Sequence, residues 1–259
     1  MNRFALGAIA LLVVLATVPV TAGAQAPDHS TYDRLLNEYV EGGYFDYEAF
    51  VRDEDNLRNL KQYLDAMSTV DPRELSADQE LAYWMNLYNA STIELVLRNY
   101  PLESIRDLDG WFGTIFSKEF IEVGDRTMSL DNVEHDTIRE RFDEPRIHFA
   151  LVCAARSCPP LRDEAYVGER LDEQLEEQTE TFLESDKNRF TVRNGTLRAE
   201  LSMILSWYAE DFGGEDGVME FIGKYLPDRK RKLIQEGSYS VDYISYDWDL
   251  NQAPGPYSQ

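Results

Sequence analysis

Apolar residues recur every three or four positions along much of the chain, which is the spacing of helices that bury one face. Residues 31–40 and 57–67 follow this spacing, and the turn formers Gly42-Gly43 and Asp71-Pro72 come after them. Two amphipathic helices are therefore predicted near the start of the chain. The same spacing predicts later helices at residues 130–142, 169–183, 201–212, 218–226 and 230–234.

The longest predicted helix begins after Ser76. Ser76 and Gln79 form the capping-box pair that begins many helices, and Tyr100-Pro101 marks the end. Apolar residues cover most sides of this helix, so we predict that it lies at the centre of the core. Asn86 and Asn89 are unusual in such a place. Either they are hydrogen-bonded core amides, or one of them lines a functional site.

Short β-prone runs on either side of turn sequences predict two hairpins. Residues 120–128 surround Gly124-Asp125, and residues 190–198 surround Asn194-Gly195. Asn-Gly favours the type I′ turn of two-residue hairpins because both residues tolerate positive φ. The second hairpin is therefore predicted with that turn.

Two further segments are predicted to be strands. Residues 147–152 form a continuous apolar run, and residues 238–247 alternate between apolar and polar positions. Helices come first, the strands are short, and no strand–helix–strand alternation is present, so the fold class is α+β. We predict a helix-rich single domain over residues 25–259 with a small antiparallel sheet.

The first 24 residues have the three parts of a secretory signal peptide. Arg3 supplies the positive charge, residues 5–20 are apolar, and Ala22-Gly23-Ala24 is a small-residue cleavage pattern. The alternative is an uncleaved anchor, but the apolar run is short for a membrane span and contains Pro19. We therefore expect a secreted or periplasmic protein without stable membrane insertion after cleavage.

The chain is strongly acidic, with 48 Asp+Glu against 25 Lys+Arg and a net charge of −23. Such a field repels polyanions, which argues against nucleic-acid and anionic-membrane partners. The sequence also lacks a P-loop, a dinucleotide-binding glycine pattern, an HExxH motif and paired CxxC motifs. We therefore predict no cofactor and no metal site.

Candidate chemistry concentrates between residues 146 and 161, which contain both cysteines and His148. The predicted strand ends near Cys153 and a turn-rich segment with Cys158 follows, a common position for catalytic residues. His135, on a predicted helix upstream, is a candidate to activate Cys153 as a nucleophile.

A third group has to orient the imidazole of His135 in such a set. Asp131 lies one helical turn before His135 and shares its face, whereas Glu134 is adjacent and diverges from it in a regular helix. Helix geometry alone favours Asp131, and Glu134 remains possible if the helix is distorted.

Each candidate also has a structural interpretation. His135 fits an exposed helix residue, His148 a hydrogen-bonded structural histidine, and Cys153 an ordinary buried small side chain. Cys153 and Cys158 also fit a disulfide in an exported protein. A redox role for both thiols is a weaker alternative, because their spacing differs from CxxC.

Several longer motifs resemble the domain of unknown function 547 family. They are Leu81-Ala82-Tyr83-Trp84-Met85-Asn86-Leu87-Tyr88-Asn89-Ala90, Leu130-Asp131-Asn132-Val133-Glu134-His135, Arg146-Ile147-His148-Phe149-Ala150-Leu151-Val152-Cys153, Ser157-Cys158-Pro159-Pro160-Leu161 and Tyr246-Asp247-Trp248.

This family resembles papain-like and transglutaminase-like cysteine enzymes, and a Glu-His-Cys set has been proposed for it. The resemblance implies that Cys153 is the nucleophile, His135 the base and Glu134 the orienting acid, which shifts the preference from Asp131. The histidine precedes the cysteine, the reverse of papain, so a shared fold would be rearranged.

We therefore expect an exported cysteine hydrolase or acyltransferase that acts on a peptide or another amide-containing substrate. Asn86, Asn89 and Trp111 are expected to contact that substrate. The alternative is a non-catalytic exported domain that binds a ligand or a protein and contains a Cys153–Cys158 disulfide.

Overall fold

Helices and short strands both contribute to the fold, as predicted for an α+β protein. The computed structural model describes residues 26–111 and 113–254, so the predicted signal peptide at residues 1–24 lies outside the described residues. Within the described ranges, no helix combines the length and the apolar character needed to cross a membrane.

The helices and strands lie close to the predicted positions in most of the chain. The helices are α1 (Ser30–Tyr39), α2 (Tyr47–Phe50), α3 (Glu54–Ser68), α4 (Ala77–Asn99), α5 (Leu130–Val133), α6 (Arg139–Arg141), α7 (Leu171–Glu184), α8 (Ile204–Trp207), α9 (Glu215–Gly223) and α10 (Asp228–Gln235). The strands are β1 (Val40–Glu41), β2 (Tyr44–Phe45), β3 (Ile121–Val123), β4 (Arg126–Met128), β5 (Arg189–Arg193), β6 (Thr196–Ser202) and β7 (Tyr239–Ile244). Short 3₁₀ turns connect several of them.

Helix α4 is the central helix, as predicted. The Ser76 hydroxyl accepts the Gln79 N–H, and the Gln79 side chain accepts the Ser76 N–H, so both halves of the capping box are present. From residue 80 to residue 97 every side chain is buried except Glu94, which is half-buried. The helix therefore contributes to the core on all sides rather than along one stripe.

The sheets are small, and the largest one is mixed. β1–β2 and β3–β4 are antiparallel pairs, and β5–β6 is the predicted hairpin with Asn194 and Gly195 at φ of 52° and 80°. β7 pairs in parallel with β6, so the prediction of an antiparallel sheet is wrong for this strand. The chain passes through α8, α9 and α10 before returning, and such a long crossover allows parallel pairing.

Residues 147–152 do not form the predicted strand. A 3₁₀ turn spans Pro145–Phe149, and an extended, unpaired stretch follows. The run is apolar because both of its sides are buried, with Ile147 and Phe149 in two different hydrophobic clusters. A side chain of α4, described below, supplies the backbone hydrogen bonds that a neighbouring strand would give.

The predicted helix at residues 201–212 begins later than expected. Leu201 and Ser202 extend β6, and the helical part is divided into α8 and a 3₁₀ turn at Ala209–Phe212. Leu201 and Ser202 pair with Tyr243 and Ile244 of β7, so tertiary contacts override the helical spacing.

Two hydrophobic clusters make up the core. The larger surrounds α4, and the smaller lies between α7, α9 and the β5–β6–β7 sheet. Tyr246, which follows β7, packs against both clusters. The candidate site lies beside this residue.

Candidate active site

A cavity of about 290 Å³ brings the predicted catalytic residues together. Cys153, His135 and Glu134 all line it, although Cys153 lies well after the neighbouring Glu134 and His135 in the sequence. The other polar residues of the lining are Asp131, His148 and Cys158, and the aromatic ones are Phe116, Trp207, Tyr208, Tyr246 and Trp248.

A π-helical turn places two neighbouring residues in this cavity. Ser129 forms a capping box with Asn132 at the start of α5, and the π turn spans Glu134–Ile138 before α6. In a regular α-helix adjacent side chains diverge, but the extra residue of a π turn changes their directions. Glu134 and His135 consequently both face the cavity, together with Asp131.

The Glu134 carboxyl lies on the buried side of the cavity. Burial raises its pKa, while hydrogen bonding from Tyr208 and Tyr88 acts in the opposite direction. One carboxyl oxygen is 3.9 Å from Nδ1 of His148. The nearest imidazole partner of Glu134 in this structure is thus His148, and no hydrogen bond joins it to His135 among the described residues.

Arg139 contacts the ring that Glu134 was predicted to orient. Its guanidinium is 3.1 Å from Nδ1 of His135 and makes two 2.7 Å hydrogen bonds to Asp211. Because a guanidinium only donates, Nδ1 accepts, and a neutral His135 carries its proton on Nε2. This tautomer presents Nε2 as a donor rather than as a base.

His148 is buried and bound on one side only. Its Nε2 is 2.7 Å from Asp211, its ring stacks on Tyr208 at 3.8 Å, and its Nδ1 has no hydrogen-bond partner among the described residues. Burial lowers the pKa of His148 to about 4, although Asp211 acts in the opposite direction. A structural role for His148 therefore explains the hydrogen bond of Nε2 but does not explain why Nδ1 is buried without a partner among the described residues.

Lowering the pH from 6.5 to 4 is expected to destabilise the protein through His148. An unfolded imidazole takes up its proton near pH 6.5, whereas the folded ring does so only near pH 4. In this window the unfolded state binds more protons, so the free energy of unfolding decreases as the pH falls, by about 3 kcal/mol at most for a shift of this size. Urea unfolding across this window should show a flatter dependence for His148→Gln than for wild type.

Glu134 is present in both proteins, so its contribution is removed when the two are compared. The raised pKa of Glu134 has the opposite effect on stability. A carboxyl whose pKa is raised in the folded state lowers the free energy of unfolding as the pH rises toward that pKa. Equal pH dependence in wild type and His148→Gln would contradict the prediction.

Both cysteines are free thiols. The sulfur of Cys158 accepts the backbone N–H groups of Cys153 and Ala155, at 3.1 and 3.4 Å. The Tyr246 hydroxyl is 3.3 Å from the sulfur of Cys153 and 3.2 Å from that of Cys158. Cys153 is half-buried and Cys158 is 2% exposed, so Cys153 is the more accessible of the two.

The two thiols have opposite pKa shifts. The hydrogen bond with Cys158, together with burial, raises the pKa of Cys153. Burial also opposes ionisation of Cys158, but hydrogen bonds from Cys153, Tyr246 and the backbone outweigh it and lower the pKa of Cys158. The hydrogen-bond donors around the Cys158 sulfur therefore favour the anionic form at that residue rather than at Cys153.

The segment after Tyr246 holds the cysteine loop in place. Asp247 and Asp249 accept the N–H groups of Ser157 and Arg156 through their backbone oxygens, at 3.1 and 2.8 Å. Asn251 donates its own N–H to the carbonyl of Ala154 at 2.9 Å. Backbone hydrogen bonds thus fix Tyr246 relative to both sulfurs.

Comparison with known proteins gives a match over part of the chain. Residues 72–183 match the model of the family described as "Protein of unknown function, DUF547". No curated protein and no solved structure matches the chain. The matched segment contains α4, the π turn, both cysteines and nearly all of α7, whereas Asp211 and Tyr246 lie beyond it.

The predicted substrate contacts lie elsewhere. Asn86 binds the backbone of Tyr166 through both ends of its amide, at 2.7 and 2.9 Å, and Asn89 does the same with Ala150 and Val152, at 2.9 Å each. Both are the hydrogen-bonded core amides of the structural interpretation, and neither lines the cavity. Trp111 is 98% exposed and does not line it either.

The sequence did not connect three residues of the site with the cysteines or His135. Tyr246 belongs to the Tyr246-Asp247-Trp248 motif, which signals the resemblance, and the sequence suggests it only as part of an aromatic ligand-binding surface. Asp211 and Arg139 form a partly buried ion pair across a long sequence separation. Nothing in the local pattern of either residue indicates that pairing.

Proposed function

We propose that this cavity is the active site of an exported cysteine-dependent hydrolase or acyltransferase that acts on amide or peptide bonds. The observation that carries the proposal is the convergence of Cys153, His135 and Glu134 on one cavity. The family resemblance implies these three residues as a set, whereas helix geometry alone favours Asp131, which also lines the cavity. The export part of the proposal rests on the sequence pattern of residues 1–24.

In the proposed reaction the Cys153 sulfur attacks the substrate carbonyl carbon and its proton passes to Nε2 of His135. This transfer requires His135 to carry its other proton on Nδ1, so Arg139 has to release that nitrogen. Arg139 already makes two hydrogen bonds to Asp211, which can keep its charge paired. His135 then returns the proton to the leaving amine, and water or a second amine accepts the acyl group.

The lining of the cavity supports a neutral or cationic substrate rather than an anionic one. Asp131 and Glu134 contribute carboxyl groups, and none of the described lining residues is lysine or arginine. Trp207, which is half-exposed, stands in contact with Tyr246 and Trp248 and provides an aromatic wall. Aromatic faces attract cations and apolar groups, and the net charge of −23 repels anions at longer range.

A peptidyl vinyl sulfone, which traps nucleophilic thiols, tests the proposal. We expect it to label Cys153, as located by peptide mass spectrometry, and to react roughly 10²-fold or more slowly with His135→Ala, because general-base assistance is worth that much. His29→Ala is the matched control, since His29 contacts Tyr63 and Asn86 away from the cavity.

Equal labelling of wild type and His135→Ala would remove His135 from the set. Absence of labelling at Cys153, together with stoichiometric binding of peptides that are never turned over, would favour the alternative of a non-catalytic binding domain. An unreactive Cys153 would also contradict a papain-like or transglutaminase-like arrangement of the site.

A further inference from the structure

The sulfur of Cys158 lies in a small backbone cradle. Ala154 has a φ of 62°, a left-handed conformation that is uncommon for a residue other than glycine. A left-handed residue between two others turns successive N–H groups toward one point, which creates a site for an anion. Here the N–H groups of Cys153 and Ala155 meet at the Cys158 sulfur.

A thiolate at Cys158 would gain a third donor. The Tyr246 hydroxyl is 3.2 Å from the same sulfur, and the backbone hydrogen bonds of residues 247–251 hold that tyrosine in place. Three donors around one sulfur stabilise a thiolate far more than a neutral thiol. Burial alone would favour the neutral form, so the donors give Cys158 a role that packing does not explain.

Cys153 is placed to react with this sulfur. Both sulfurs lie within 3.3 Å of the same tyrosine oxygen, and the backbone N–H of Cys153 donates to the Cys158 sulfur. The opposite pKa shifts of the two thiols fit a pair in which one is ionised and the other protonated. Cys158 also lines a second cavity of about 240 Å³, so a small oxidant has two directions of approach.

We propose that Cys158 carries the thiolate of the pair and that hydroperoxides oxidise the two cysteines to a reversible disulfide. The oxidation of this pair does not depend on the proposed function. Its consequence, loss of the Cys153 nucleophile and hence of activity, rests on the proposed function.

The oxidation proceeds in two balanced steps. The Cys158 thiolate attacks the hydroxyl oxygen of ROOH, the O–O bond breaks, and the alkoxide leaves as ROH with the proton of Cys153. The resulting Cys153 thiolate attacks the sulfenic sulfur of Cys158, the S–O bond breaks, and hydroxide leaves to become water with a solvent proton. Both sulfurs are oxidised, and the peroxide is reduced.

Titration of thiolate absorbance in the ultraviolet tests where the charge resides. The low-pH thiolate should persist in Cys153→Ser and be lost in Cys158→Ser. Tyr246→Phe should raise its apparent pKa by about one unit, a tenfold change, because one donor is removed. Tyr243→Phe is the control, since it removes a hydroxyl from the preceding strand and leaves Tyr246 intact.

Hydrogen peroxide treatment followed by differential alkylation and mass spectrometry tests the pairing. Wild type should lose two hydrogens, with Cys153 and Cys158 in one linked peptide, and dithiothreitol should restore both thiols. A thiolate that disappears in Cys153→Ser and remains in Cys158→Ser would overturn the assignment, and over-oxidation of Cys153 without a disulfide would overturn the pairing. Both readouts follow the thiols, so they remain decisive even if no amide substrate is found.

Discussion

Replacing Cys153 by alanine should reduce turnover of an amide substrate by on the order of 10³-fold or more, with the fold unchanged. The substitution removes the atom that would form the acyl-enzyme. The side chain is half-buried, and its sulfur contacts the Tyr246 hydroxyl, so little packing is lost. Activity is measured as turnover of a peptide amide that has the sequence of the most reactive vinyl sulfone. The effect on the fold is measured as the unfolding temperature.

The second thiol provides the decisive comparison. Cys158→Ala leaves the accessible sulfur in place, so it should retain part of the turnover, although it disturbs the backbone cradle. Full activity in Cys153→Ala with none in Cys158→Ala would assign the nucleophile to the buried cysteine. Full activity in both would end the proposal of a cysteine enzyme.

Replacing Asn89 by alanine should lower the free energy of unfolding by about 2–4 kcal/mol. Its amide accepts the N–H of Val152 and donates to the carbonyl of Ala150, and all three residues are buried. The substitution leaves a backbone donor and a backbone acceptor without partners, and each buried group of this kind costs about 1–3 kcal/mol. Urea unfolding at pH 7 measures the loss.

Asn86→Ala is the matched control, because the same side chain on the same helix makes two hydrogen bonds to the backbone of Tyr166. Both variants should be destabilised to a similar extent. Only Asn89→Ala should alter the vinyl sulfone reactivity of Cys153, since only Asn89 holds the segment that leads to it. Unchanged stability in Asn89→Ala would mean that residues 150–152 find other partners.

The elements that the sequence predicted well are those set by local chemistry. The capping box of Ser76 and the Asn194-Gly195 turn involve residues within a few positions of one another, and both occur as expected. Residues 147–152 do not form the predicted strand because a local 3₁₀ turn and Asn89, on a helix far away in the sequence, satisfy their backbone. An apolar run alone does not show which partner satisfies its backbone.

The candidate site also contains residues that the sequence predicted and residues that it did not. That His135 and Cys153 belong together was predicted from their chemistry, and the cavity contains both. The neighbours of each were not predicted, because they depend on the π turn and on contacts made across the fold. Arg139 reaches the His135 ring, and Tyr246 reaches both sulfurs.

The hydrogen bonds between residues 247–251 and the cysteine loop also set an order of events during synthesis. A ribosome makes both thiols long before it makes Tyr246, so in a nascent chain the cysteines exist without the hydroxyl that joins them. A chain that crosses a membrane unfolded, with its N-terminus first, would likewise expose both cysteines before Tyr246 arrives. Assembly of the thiol site is therefore a late step in maturation, and a fragment that ends with the family-matched segment at residue 183 would contain both cysteines but not the complete site.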